Sequence, residues 1–251
     1  MDTMGRPLDG AVAIVTGSAM NIGRETCLQL ARMGANVVTH AAANRSGAEE
    51  TAGLVRAEGA EAATWVGDLT DPAGARTLVQ TALEAFGTLN ILVNNAAIRG
   101  NDALVDIPLE KFQSIMRTNV EAPVLCAQAA APHMAASGWG RIVNIGGLSA
   151  HRGSKGRVHV AASKMAMVGV TRALATELAD DNVTSNIVVP GMIDTVRGAS
   201  AGASPHGGHP NLLGRHGTAA EVAHVVVCLC HPNAAYTTGQ TIHVNGGGYL
   251  G

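Results

Sequence analysis

The sequence predicts one α/β domain over residues 1–251, a doubly wound parallel sheet of seven strands with helices on both faces. Three observations lead there. Short β-branched runs alternate with longer small-residue amphipathic stretches, the signature of repeated βαβ units. The first run ends in a glycine-bearing turn that opens a helix. No repeat or low-complexity linker divides the chain.

In order, the strands are expected at AVAIVT (11–16), ANVVTH (35–40), EAATWVG (61–67), LNILVN (89–94), RIVNI (141–145), VTSNIVV (183–189) and TIHVN (241–245). Most are apolar throughout, as strands covered on both faces must be. Helical patterns fall between them near 22–33, 46–58, 72–86, 109–136, 156–180 and 218–230. The stretch 156–178 carries only Arg157, Lys164, Arg172 and Glu177 as charges. A helix apolar nearly all round is a buried one, expected here between its own sheet and a symmetry-related copy. Lys164 is costly in such surroundings unless it is used. The segment 196–217, rich in Gly, Ser, His and Pro, interrupts the regularity and reads as a mobile lid.

Charged residues make up 14% of the chain, against about 25% in a typical soluble domain, so partner subunits are expected to cover some helix surface. A homo-oligomer, dimer or tetramer, follows. The formal charge of −2 provides no basic field, which argues against nucleic acid and anionic membrane as partners. No apolar stretch reaches the 18 or so residues of a membrane helix, and MDTMGRPLDG has no apolar signal region. The four cysteines, Cys27, Cys126, Cys228 and Cys230, have neither zinc-ligand nor disulfide-scaffold spacing. Together these predict a soluble, cytoplasmic protein with no metal site and a small-molecule substrate.

The first turn reads Thr16-Gly17-Ser18-Ala19-Met20-Asn21-Ile22-Gly23. Glycines let the backbone approach a pyrophosphate, and a helix N-terminus offers it free N–H groups and a positive dipole end. The spacing departs from Gly-x-Gly-x-x-Gly, and from Gly-x-x-x-Gly-x-Gly at Asn21. Asparagine tolerates left-handed backbone angles, so the turn is expected to survive.

With Asp68-Leu69, Asn94-Asn95-Ala96-Ala97, Asn119, Lys164, Pro190-Gly191-Met192-Ile193-Asp194-Thr195 and Gly239 to Gly247, this turn makes nearly all of 8–248 resemble a Rossmann-type short-chain dehydrogenase/reductase, closest to the ketoacyl-carrier-protein-reductase-like branch. The resemblance implies a nicotinamide dinucleotide at the carboxyl ends of the strands. It implies Gly17, Ser18, Asn21, Ile22 and Gly23 at the phosphates, Asp68 and Leu69 at the adenine, and Asn95 and Ala96 at the adenosine side. Lys164 would meet the nicotinamide ribose, and Pro190, Gly191, Ile193 and Thr195 the carboxamide end. The second strand ends in Ala41 where NAD selection needs a carboxylate, and Asn44 and Arg45 could meet a 2′-phosphate, so NADP is expected ahead of NAD.

The block Arg141–Lys164 lacks what that family uses for chemistry. The resemblance implies a tyrosine four residues before the lysine, on the same helix face, as proton donor, and a serine that orients the carbonyl. Here Val160 and Gly147 stand in their places. Asn119 and Lys164 remain as catalytic candidates. His159, Ser149 and His151 are the nearby groups that could replace the donor, with His206 and His209 of the lid behind them. Tyr236 and Tyr249 are the only tyrosines; Tyr249 is expected to reach a site only from a neighbouring subunit. The departure leaves three readings: an atypical NAD(P)-dependent oxidoreductase acting on a carbonyl, an alcohol or an already polarised imine; a non-redox lyase, isomerase or dehalogenase; and an inactive cofactor-binding subunit.

Overall fold

The computed structural model describes residues 5–196 and 211–251. Seven strands, β1 (Val12–Val15), β2 (Asn36–Ala41), β3 (Ala62–Val66), β4 (Ile91–Asn94), β5 (Gly140–Ile145), β6 (Val183–Pro190) and a C-terminal strand (Thr241–Val244), form one sheet. Every pairing in it is parallel, and the order runs β3-β2-β1-β4-β5-β6 and then the C-terminal strand. The order reverses between β1 and β4, which places the crevice of an open parallel sheet beyond the carboxyl ends of those strands.

Helices α1 (Asn21–Arg32), α2 (Arg45–Ala57) and α3 (Pro72–Phe86) follow the first three strands. Asp71 starts α3 by accepting the Ala73 N–H at 2.9 Å, with Pro72 at its first position and Gly87 in the left-handed region at its end. The single helix expected over 109–136 is α4 (Leu109–Met116) and α5 (Ala122–Ala136), joined by a π-helical turn over Arg117–Glu121 that carries Asn119. Such turns bulge one residue out of register and concentrate at functional sites. A short α6 (Leu148–Arg152), absent from the sequence expectation, precedes α7 (Val158–Glu177). Two-residue strands β7 (Ile193–Asp194) and β8 (Gly217–Thr218) pair with each other ahead of α8 (Ala219–Cys230), and the C-terminal strand is β9. The lid expected over 196–217 falls largely on residues 197–210, with His206 and His209, outside the described residues.

Two apolar clusters sandwich the sheet: one joins α1 and α8 to it, the other α3 and α5. α7 buries Val160, Ser163, Met167, Thr171 and Ala175 against it. A polar ladder fixes its rotation: Asn94 donates to Asn144 at 2.9 Å, and Asn144 donates to the Thr171 hydroxyl at 2.9 Å. On its outer face Val158 and Met165 are 46% and 42% exposed in the single chain, the face expected to meet a symmetry-related copy.

Candidate active site

The site begins at the turn after β1. Gly17 has φ +62° and Asn21 φ +52°, both in the left-handed region. A Cβ on Gly17 would sit 2.8 Å from the Ala96 Cα, so only glycine lets β1 and β4 approach this closely. Asn95 stitches the two loops together, its amide donating to the Thr16 and Gly17 carbonyls at 2.9 Å each. Met20 precedes α1 without a side-chain cap, which leaves the first N–H groups of a 12-residue helix uncapped by any side chain. Asn21 has a second task besides its place in the turn. Its side chain accepts from the Val196 N–H at 3.0 Å and donates to the Val196 carbonyl at 2.9 Å, clasping α1 to the chain beyond β7.

His40, at the end of β2, escaped the sequence reading because a lone histidine in a strand has no distinctive spacing. Its Nδ1 accepts the Gly17 N–H at 3.0 Å and its Nε2 lies 3.1 Å from the Gly67 carbonyl. Those roles require the neutral ring with the proton on Nε2. Burial pulls its pKa down, consistent with that form. Ser18 is fully buried, its hydroxyl accepting the His40 N–H at 2.8 Å, so its side chain shapes the turn. Asp68 and Leu69 line an adjoining hollow with His40 and Ala96. The Asp68 carboxylate accepts from the Thr70 N–H and hydroxyl at 2.8 and 2.9 Å. Asn44 caps α2, accepting the Gly47 N–H at 3.1 Å, and Arg45 faces Glu49 at 3.4 Å on an exposed helix surface.

A cleft runs from Gly17, Asn21, Ile22 and Gly23 past Asn95 and Thr195 into a cavity floored by Lys164. Pro190, Gly191 and Ile193 form one wall, and Gly147, Ser149 and Val160 the other. Val160 and Lys164, four apart on α7, therefore point into one space, as the periodicity requires. The Lys164 ammonium donates to the Ile145 carbonyl at 2.7 Å. Burial, and after it the Arg99 charge, bring its pKa down to about 8.

The other catalytic candidates divide. Ser149 reaches the cavity. His159 is fully buried and sits outside that lining: its Nε2 lies 2.8 Å from Asp102, and its Nδ1 accepts the Val160 N–H at 3.0 Å. Lys111 holds the other Asp102 oxygen at 2.7 Å and, ahead of His159, keeps that carboxyl below its usual range. Asn119 spends its side chain on Ile98, accepting its N–H at 2.9 Å and donating to its carbonyl at 3.0 Å, and on the Ser163 hydroxyl at 3.0 Å. His151 turns toward His243 and Tyr249, with ring centroids at 4.6 and 5.6 Å. Tyr249 thus packs within its own chain, and Tyr236 is fully exposed. Arg99 and Arg157, unflagged by the sequence because neither belongs to the family motif, also line the cavity. Among the described residues no cluster of His, Cys, Asp or Glu could hold a metal ion, and no helix is long and apolar enough to cross a membrane.

The family model described as enoyl-(acyl carrier protein) reductase matches residues 17–248. This chain is a short-chain dehydrogenase/reductase, a member of an oxidoreductase family. Its relatives include the 3-oxoacyl-[acyl-carrier-protein] reductase FabG of Pseudomonas aeruginosa, 37% identical over 97% of this chain and 99% of the relative. FabG of Escherichia coli K12 is 33% identical over 96% and 98%. A solved Sinorhizobium meliloti 1021 structure, assigned as a short-chain alcohol dehydrogenase, superposes with a TM-score of 0.88 at 33% identity, covering 96% of both chains. The relatives and the family model thus match this chain over nearly its whole length.

Proposed function

We propose that this chain reduces a small carbonyl compound with NADPH, using Lys164 itself as the proton donor where the family uses a phenol. The observation that carries this reading is the continuity of the cleft: the glycine turn at one end and Lys164 at the other share Ile22, Asn95, Arg99 and Thr195 as lining. The uncapped start of α1 and the bare Gly17 backbone fit the pyrophosphate of a dinucleotide. A reduced nicotinamide, when bound, supplies a hydride to the carbonyl carbon. The carbonyl oxygen takes its proton from the Lys164 ammonium, which solvent then reprotonates. A lysine titrating near 8 is a far better acid at neutral pH than one at its ordinary value, because proton donors work best with a pKa near the operating pH. Ser149 orients the carbonyl in place of the family serine. Val160, 4% exposed, keeps water from the space a tyrosine would fill.

Asn119 and His159 act through the backbone in this reading. Asn119 sets the loop after β4, and His159 ties the start of α7 to Asp102. NADPH is preferred over NADH because Ala41 offers the ribose hydroxyls no carboxylate and Arg45 stands on the first turn of α2. The exposed apolar face of α7 packs against a second copy in a homo-oligomer.

Fluorescence titration with NADPH and NADH, followed by the absorbance of reduced nicotinamide across a set of carbonyl compounds, tests the reading. Binding with turnover of at least one carbonyl is expected. Tight binding with no oxidation by any acceptor overturns it in favour of an inactive cofactor-binding subunit. Product formation without net cofactor change overturns it in favour of non-redox chemistry.

A further inference from the structure

Resting on that reading, we infer that His40 is a positioning residue for the dinucleotide: its neutral imidazole holds Gly17 in the shape that receives the pyrophosphate, and its protonation lets the turn go. Two side chains fix this glycine, one on each of its backbone groups. The Asn95 amide donates to its carbonyl at 2.9 Å, and the His40 Nδ1 accepts its N–H at 3.0 Å. An amide does not titrate, whereas an imidazole does so near physiological pH. The main chain of His40 joins the same turn. Its carbonyl accepts the Ser18 N–H at 2.8 Å, and its N–H donates to the Ser18 hydroxyl at 2.8 Å.

The ring has no room to turn away. His40 is 2% exposed, its ring stacks on that of Trp65 with centroids 5.4 Å apart, and its Nε2 donates to the Gly67 carbonyl at 3.1 Å. A protonated ring carries N–H on both nitrogens, so Nδ1 would aim a donor at the Gly17 N–H across 3.0 Å. Two donors cannot share that bond, and the turn must give. Asp68, after β3, and Cys126 of α5 line the adjoining hollow with the ring, and Arg99 borders the cleft it faces. Burial disfavours the imidazolium more than the Gly67 carbonyl and the Asp68 charge favour it, which leaves the ring below the ordinary histidine value of 6.5. The Cys126 thiol, pushed up to about 12 by burial, stays neutral. His40 borders the cleft beside Gly17, Asn21, Ile22 and Gly23, so its charge acts where the dinucleotide would lie.

Calorimetric titration with NADP+, which survives mild acid better than its reduced form, tests this between about pH 5 and pH 8 in the parent and in His40→Asn. The asparagine Oδ1 replaces Nδ1 as the acceptor for Gly17 and has no proton to gain. Parent affinity should be flat above the ordinary histidine range and fall below it, by up to about tenfold per pH unit. His40→Asn should bind within about threefold of the parent near neutral pH and follow a flatter course in acid. His40→Leu, with no acceptor, should bind about two- to tenfold more weakly at every pH, the worth of one hydrogen bond. Titration of the ligand itself is common to all three proteins, so the differences belong to His40. Parent and His40→Asn courses that superimpose overturn the inference while the cofactor reading stands, as does unweakened binding in His40→Leu. Failure of the parent to bind at neutral pH overturns both. Should His40→Asn not fold, hydrogen exchange in the parent decides. Protection of residues 12–20 that is lost on acidification ahead of protection in 91–94 supports the switch, and protection lost in both together overturns it.

Discussion

The turn after β1 and the block between β5 and α7 both depart from the pattern that the family resemblance implies, with opposite consequences. At the turn, the resemblance implies glycine at position 21, and with asparagine there the backbone still turns at φ +52°. At the block, the resemblance implies a hydroxyl and a phenol where Gly147 and Val160 stand, and the described residues place no tyrosine in the cavity. A task performed by the main chain survives any side chain that tolerates the required angles. A task performed by a functional group is lost with that group, however well the frame is kept.

The strongest way to break this contrast is to restore the missing groups. A Cβ on Gly147 would meet only Lys164 side-chain carbons, the nearest at 3.5 Å, at an extended backbone angle that any residue adopts. Val160 already faces the same cavity. The double replacement Gly147→Ser plus Val160→Tyr is therefore expected to raise NADPH-dependent reduction of simple ketones by roughly 10² to 10⁴, the usual worth of a positioned acid. Initial rates with acetone and cyclohexanone measure it. A correctly folded variant that binds NADPH but shows no gain would mean that the frame, and not only the chemistry, has changed.

The same contrast explains what could be read from the sequence. Period and punctuation place every strand of the sheet within about two residues, because parallel strands need apolar runs and turns need Gly, Asn or Pro. That Val160 and Lys164 face one space was legible too, since residues four apart share a helix face. Hidden were the contacts that depend on where long side chains end. His159 looks like a replacement acid by adjacency, but its ring closes on Asp102, 57 positions earlier in the chain. Asn119 looks like a site residue, but its amide is consumed by Ile98. Arg99, after β4, and Arg157, at the start of α7, are 58 positions apart in the chain and come to line one cavity only through the fold.

A pH profile sharpens the comparison with a smaller effect. Folding lowers the Lys164 pKa to about 8 from an ordinary 10.5. If its ammonium donates the proton, kcat should be flat below about pH 8 and fall tenfold per unit above it. Stability should move the other way. Between about 8 and 10.5 the unfolded chain binds the proton that the folded chain has released, so this residue makes the fold more stable as pH rises through that window. In the double variant, Gly147→Ser plus Val160→Tyr, the descending limb should shift, since the phenol then donates. An activity limb still at about pH 8 after that replacement would show that the new phenol does not supply the proton and that Lys164 still sets the limb.

The smallest effect concerns the turn itself. Asn21→Gly restores the family spacing and relieves the left-handed angle, but it removes both hydrogen bonds to Val196. These bonds are solvent-exposed, and a net intramolecular hydrogen bond contributes about 0.5–1.5 kcal/mol. Relief of backbone strain offsets much of that, so stability should change by about 1 kcal/mol or less in denaturant melts. The clasp has a second consequence, because Asn21 and Val196 both border the cleft where the dinucleotide would lie. Its loss should speed NADPH release a few-fold in stopped-flow displacement while leaving hydride chemistry alone. Unchanged release together with a loss of several kcal/mol would mean that asparagine is needed to form the turn, and that main-chain tasks here are less indifferent to side chains than the catalytic block suggests.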